Sequence, residues 1–226
     1  MLRRLIILIL SGFLALSVMG QEASFNAGEH YRKRMSRFAS EDKITSADII
    51  MLGNSLTEYA GNWSKLLRKR HVRNRGIAGD VAEGISRRLE SILTNHPKAI
   101  FLLVGTNDVS HNLTTSQVFE RCRKVIDKIR TTSPDTKLFV QSLLPFNESF
   151  GRWKLLEGKS GMIPGINRLL AKYCHDHNIT FIDLYPKFVR KGTNQLRKEL
   201  TSDGLHLSPQ GYKLWAFELQ RYLQAL

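Results

Sequence analysis

The sequence predicts a three-layer α/β/α domain around a parallel five-stranded sheet, and three observations lead there. Short stretches that read as strands recur at residues 49–52, 72–77, 99–104, 137–144 and 180–184. Stretches with apolar residues three and four apart separate them, so strands alternate with helices as parallel pairing requires. The middle run, Ala-Ile-Phe-Leu-Leu-Val at 99–104, contains no polar residue, the pattern of a strand covered on both faces.

A basic Met1-Leu2-Arg3-Arg4 precedes an apolar run over 5–19, with small residues near Gly20. This pattern reads as a signal peptide over residues 1–20, which implies a secreted or periplasmic protein. Residues 21–46 are polar, with scattered apolar positions such as Phe25, Tyr31, Met35 and Phe38, and read as an N-terminal arm with one helix. Residues 47–226 form the main domain. Its first strand, at 49–52, runs into Gly53-Asn54-Ser55 and is followed by a helix that includes Trp63 and Leu67. The second, at 72–77, enters Gly76-Ile77-Ala78-Gly79-Asp80, after which Val81, Ile85, Leu89, Ile92 and Leu93 recur at helical spacing. That period leaves Arg87, Arg88 and Glu90 on the solvent side. The third strand stops at Gly105-Thr106-Asn107-Asp108, and Val118, Phe119, Cys122, Val125, Ile126 and Ile129 line the next helix. The fourth strand ends at Pro145, which has no N–H for a central ladder. A long loop over 146–161 follows, then a helix lined by Ile166, Leu169, Leu170, Tyr173 and Cys174, and the fifth strand. Ser208 as N-cap and Pro209 at the first helical position open the last helix.

Composition bounds the function. With 226 residues, 42% of them hydrophobic, the chain suits one ordinary domain. Lys and Arg number 34 against 20 Asp and Glu, a formal net charge of +14 that suits an anionic envelope surface, an acidic glycan or nucleic acid. The basic residues are dispersed and no nucleic-acid module surrounds them, so a nucleic-acid partner is not expected. Cys122 and Cys174 lie inside apolar helical patterns; one disulfide is feasible in an exported protein, but buried free thiols are the favoured reading. His175-Asp176-His177 has no completing cluster, so no metal is expected.

The turns after the first three strands open on one edge of the sheet, where open α/β sheets bind ligands. Ser55 there has two readings, a helix cap or a nucleophile. A nucleophilic serine needs a base and donors for a developing oxyanion. Asp203 and His206, three residues apart before the last helix, could provide an orienting carboxylate and a base. Asn107 could supply a side-chain N–H, and Gly79 and Ser55 backbone N–H groups. Asn54, Trp63, Phe146, Asn147 and Trp153 lie in turns or loops near this edge and are candidates for substrate contact.

Gly53-Asn54-Ser55-Leu56, Gly76-Ile77-Ala78-Gly79-Asp80, Gly105-Thr106-Asn107-Asp108 and Asp203-Gly204-Leu205-His206 stand in the order and approximate spacing of the blocks of SGNH, or GDSL-type, esterases and lipases. The chain resembles that family from residue 47 to the last helix. The resemblance implies a flavodoxin-like domain and an ester hydrolase that needs no cofactor. It implies Ser55 as nucleophile, His206 as base and then acid, Asp203 as its orienter, and Ser55, Gly79 and Asn107 as oxyanion hole. Asn54 departs from the family, which carries Asp there, so altered tuning rather than loss of activity is expected. The second and third blocks look most like the platelet-activating-factor acetylhydrolase-like and carbohydrate deacetylase subgroup. That likeness favours a short acyl group, acetyl above all, on a sugar, so the expected partner is a small-molecule or glycan ester substrate, with carbohydrate first. A lysophospholipid or short-chain lipid ester is the alternative, and a non-catalytic glycan-binding protein is an alternative of another class. Oligomeric state is not readable from the sequence.

Overall fold

The computed structural model describes residue 25 and residues 27–226, so the segment read as a signal peptide lies outside it. In chain order it runs α1 (Glu29–Ser40), β1 (Ile49–Gly53), α2 (Ser55–Glu58), α3 (Trp63–Leu67), β2 (Val72–Gly76), α4 (Ala82–Arg87), α5 (Glu90–Leu93) and β3 (Ala99–Leu103). It continues with α6 (Thr106–Val109), α7 (Thr115–Thr132), β4 (Lys137–Gln141), α8 (Met162–Asp176), β5 (Thr180–Ile182), α9 (Tyr185–Phe188) and α10 (Pro209–Leu223). The strands form one sheet in the order β2-β1-β3-β4-β5, every pair parallel. This is the flavodoxin-like order, with its switch point between β1 and β3. Among the described residues no helix is long and apolar enough to cross a membrane.

Strand periodicity divides the interior into two cores. Ile50, Leu52, Ile100, Leu102 and Val140 face one side with Val125, Ile126 and Ile129 of α7 and Ile166 and Leu170 of α8. Their neighbours Ile49, Met51, Ala99, Phe101 and Phe139 face the other, against Trp63 and Leu67 of α3 and Trp215 and Leu219 of α10. Because β1 and β3 are buried along their full length, their carboxyl ends form a fixed platform. The N-terminal arm is docked onto this body: Ile44 joins the first core, and Tyr31 donates its hydroxyl to Gly84 O at 3.0 Å.

The structure departs from two sequence expectations. The helix expected to carry one stripe from Val81 to Leu93 is broken into α4 and α5, which turns Arg88 inward to 2% exposure. Arg88 there donates to Asp80 Oδ2 at 2.9 Å, Arg75 O at 2.9 Å and Gly53 O at 3.1 Å. It thus ties the ends of β1 and β2 to the turn after β2. The fourth strand stops at Gln141 rather than residue 144, because the Asn167 side chain takes both backbone groups of Leu143 at 2.8 and 3.0 Å. Cys122 and Cys174, by contrast, are the buried free thiols that the sequence favours, and burial pushes the Cys174 thiol up to about 12 and that of Cys122 well above its ordinary value.

Candidate active site

Asn54 follows β1 and caps α2, its side-chain oxygen accepting from Leu56 N–H at 3.0 Å. The cap is therefore Asn54, not Ser55, and the Ser55 hydroxyl is left for another partner. That partner is His206, whose Nε2 lies 2.9 Å from Ser55 Oγ. His206 Nδ1 is 2.8 Å from Asp203 Oδ2, while Asp203 Oδ1 accepts from the backbone N–H of Leu205 at 2.9 Å and of His206 at 2.7 Å. Burial pushes the Asp203 carboxyl up, but the hydrogen bonds from the His206 side chain and these two amides outweigh it and hold its pKa below the ordinary value. An anionic Asp203 can only accept, so Nδ1 carries the ring proton and Nε2 is the acceptor for Ser55 Oγ–H.

Several elements deliver the 203–206 loop to β1. Thr201 Oγ1 accepts from Gly204 N–H at 2.9 Å and donates to His206 O at 2.7 Å. Asn147 N–H donates to Gly204 O at 2.6 Å. On α10, Ser208 caps through Gly211 N–H at 3.2 Å, and the Tyr212 hydroxyl reaches Leu56 O at 2.9 Å. One helix thereby joins the histidine loop to the helix that begins at Ser55.

Opposite the histidine stands a turn over residues 77–80, closed by Asp80 N–H donating to Ile77 O at 3.1 Å. Gly79 holds its third position with φ +80°, a backbone that glycine adopts without strain. Asn107 donates one amide hydrogen to Asp80 O at 2.9 Å, leaving its second. The N–H groups of Ser55 and Gly79 have no acceptor among the described residues. Three donors are thus unspent beside the serine. Asp108, the next residue, is fully buried, and its Oδ2 accepts from Ala82 N–H at 3.0 Å, fixing the turn after β3 to the start of α4.

These groups line a cleft of about 440 Å³, bounded by Ser55, Gly79, Asn107, Leu205 and His206 and walled by Tyr59, Trp153 and Leu155. The rings of Tyr59 and Trp153 flank His206 with centroids 4.9 and 5.1 Å away. A concavity of about 770 Å³ lies at the amino ends of β4 and β5, around Lys137 and Thr180, and carries no serine–histidine pair. Size does not locate the chemistry. Among the described residues no cluster of His, Cys, Asp and Glu could hold a metal ion.

Of the five candidate substrate contacts, Trp153 alone reaches the cleft. Trp63 is 1% exposed, packs edge-to-face on Trp215 at 5.1 Å and donates its Nε1–H to Thr57 O at 2.9 Å. Phe146 is buried in the first core. Asn147 is spent internally, its amide donating to Leu196 O at 2.8 Å and its oxygen accepting from Ser149. Asn54 is buried and occupied as a cap. The sequence reading missed Tyr59 and Leu155, both exposed at the cleft. Tyr59 had a signal, since it lies four residues after Ser55 and so on the same face of that helical turn.

Comparison with known proteins agrees with this geometry. Residues 51–214 match the GDSL-like Lipase/Acylhydrolase family. Platelet-activating factor acetylhydrolase IB subunit alpha1 of Rattus norvegicus is 29% identical over 78% of this chain and 75% of its own. A GDSL-like lipase from Bacteroides thetaiotaomicron superposes with a TM-score of 0.74 at 20% identity, over 87% of this chain and 98% of its own. An acetyl xylan esterase superposes with a TM-score of 0.64 at 21% identity, over 78% and 99%. The chain belongs to the GDSL-like lipase/acylhydrolase family and is an ester hydrolase.

Proposed function

We propose that this ester hydrolase removes short acyl groups, acetyl above all, from carbohydrate through an acyl-Ser55 intermediate. The observation that carries the reading is the continuous chain from Asp203 through His206 to Ser55, at 2.8 and 2.9 Å, facing three unspent donors. Ser55 Oγ attacks the ester carbonyl carbon as its proton passes to His206 Nε2. The oxyanion that forms is met by the N–H groups of Ser55 and Gly79 and the amide of Asn107, donors already oriented before the charge appears. When the tetrahedral centre collapses, His206 gives its proton to the departing alcohol oxygen. Water then attacks the acyl-serine, with His206 accepting and returning the second proton. Asp203 keeps Nδ1 protonated and stabilises the imidazolium in between.

The substrate class rests on the walls. Tyr59 and Trp153 offer aromatic surface beside the reacting serine, which suits the C–H face of a sugar ring. Two similar proteins are named for the same acyl group, an acetylhydrolase and an acetyl xylan esterase, which supports acetyl. A second reading, a short-chain or lysophospholipid ester, is favoured by Leu155, which is 70% exposed on the cleft wall beside Arg152 and Lys154. The basic n-region and apolar run over residues 1–20 support action outside the cytoplasm, secreted or periplasmic, against an anionic envelope surface.

The test is acetate release from a panel of acetylated sugars, short-chain esters and lysophospholipids, with Ser55→Ala as control. Release from the sugars, abolished by the substitution, is the expected result. Fatty-acid release from lysophospholipids alone overturns the carbohydrate reading in favour of the lipid one.

A further inference from the structure

We propose that Glu58 is a positioning residue for the oxyanion turn, and that α1 of the N-terminal arm holds it in place. This rests on the assignment of Gly79 as an oxyanion donor made above. Glu58 lies three residues after Ser55 on the same short helix, α2. Its Oε2 accepts from Ala78 N–H at 2.6 Å, so the amide just before Gly79 is tied to the helix that starts at the nucleophile. One carboxylate thereby sets the separation between Ser55 and the Gly79 N–H. Gly76 permits the close approach, since a Cβ there would stand 2.2 Å from Glu58 N. Asn74 secures the other side of the same junction, donating through Nδ2 to Glu58 O at 3.0 Å and accepting at Oδ1 from Gly76 N–H at 2.9 Å.

The arm converges on this carboxylate. His30 Nε2 stands 2.9 and 3.1 Å from its two oxygens, and Arg34 Nε is 3.4 Å from Oε1. Arg34 also donates to Gly76 O, at 2.9 Å through Nη2 and 3.2 Å through Nε. Arg34 therefore grips both the anchor and the start of the turn it anchors. The Glu58 side chain is 12% exposed, a burial at which a carboxylate needs such donors, and charged acceptors make the stronger hydrogen bonds to amides. Glu58, His30 and Arg34 are not among the residues lining the cleft, so their influence on the reaction runs through the turn. His30 and Arg34 also lie before residue 51, where the family match begins.

A donor displaced by about 1 Å costs roughly 10²-fold in rate. Glu58→Ala is therefore expected to lower kcat on p-nitrophenyl acetate by about 10- to 100-fold with KM nearly unchanged. Glu58→Gln keeps an oxygen for Ala78 N–H and is expected to restore most of kcat, and Arg34→Ala to fall between wild type and Glu58→Ala. The structural arm of the test is the Ala78 amide proton in the NMR spectrum, expected to shift in Glu58→Ala and to return in Glu58→Gln. An unmoved Ala78 resonance overturns the clamp. A moved resonance with wild-type kcat overturns the positioning role, as does a kcat loss that follows lost thermal stability and that Gln does not repair. A wild-type protein that turns over no ester sinks the function proposed above and this role with it, whereas an active wild type matched by Glu58→Ala sinks this role alone.

Discussion

Asp80 and Asp203 are buried carboxylates at the same edge of the sheet, and their surroundings push their pKa values in opposite directions. Asp80 faces a full counter-charge, the buried Arg88 guanidinium at 2.9 Å, yet burial prevails and pushes its pKa up to about 6. Its Oδ1 has no hydrogen-bond partner among the described residues, and the neighbouring Asp108 adds repulsion. Asp203 feels burial too, but the His206 side chain and two backbone amides donate to it and carry its pKa below the ordinary value. Deeper burial of Asp80, whose side chain is 0% exposed against 11% for Asp203, and the donors on both oxygens of Asp203 together separate the two. The difference suits two tasks: Asp203 orients an imidazole that must become charged, and Asp80 ties a turn to the strands beneath it.

Substitutions break this comparison in a graded way. Asp203→Asn is expected to have the largest effect, lowering kcat on the order of 10⁴-fold with the fold intact by circular dichroism, because the amide no longer enforces the Nδ1–H tautomer. Arg88→Leu is expected to cost about 3–5 kcal/mol in urea denaturation at pH 8, where it strands an ionised Asp80. The cost should shrink at acid pH. A carboxyl whose folded pKa is raised contributes stability that is fully present below its ordinary value of 3.8 and is lost as pH rises through about 6. Asp80→Asn should therefore flatten that decline between pH 4 and 7, whereas the contribution of Asp203, whose pKa is lowered, fades only as pH falls below 3.8. Asn107→Ala, which removes the amide between Asp80 O and the cleft, should reduce kcat by roughly 10²- to 10³-fold at little cost in KM. Trp153→Ala should have the smallest effect, raising KM for an acetylated sugar by about 2- to 10-fold, the 0.5–1.5 kcal/mol of one aromatic contact.

Much of the sheet edge is legible in the sequence, because small or polar turns interrupt apolar runs there. Gly53-Asn54-Ser55 and Gly105-Thr106-Asn107-Asp108 announce themselves in this way, and Ser208-Pro209 marks the start of α10. Arg88 is not legible, because a continuous helical period assigns it to solvent and only the break between α4 and α5 turns it inward. Trp63 and Phe146 fail for the converse reason, since a position near the edge does not say whether an aromatic ring turns toward the cleft or the core. The clamp on Glu58 joins residues 28 positions apart in sequence, a separation at which no local pattern operates.

The most direct test of the account is to locate the acyl group by peptide mass mapping after acid quench of the protein during turnover of p-nitrophenyl acetate. Acetyl is expected on the peptide that contains Ser55, with no labelled peptide and no turnover in Ser55→Ala. Acetyl on another residue, together with undiminished turnover by Ser55→Ala, would contradict it.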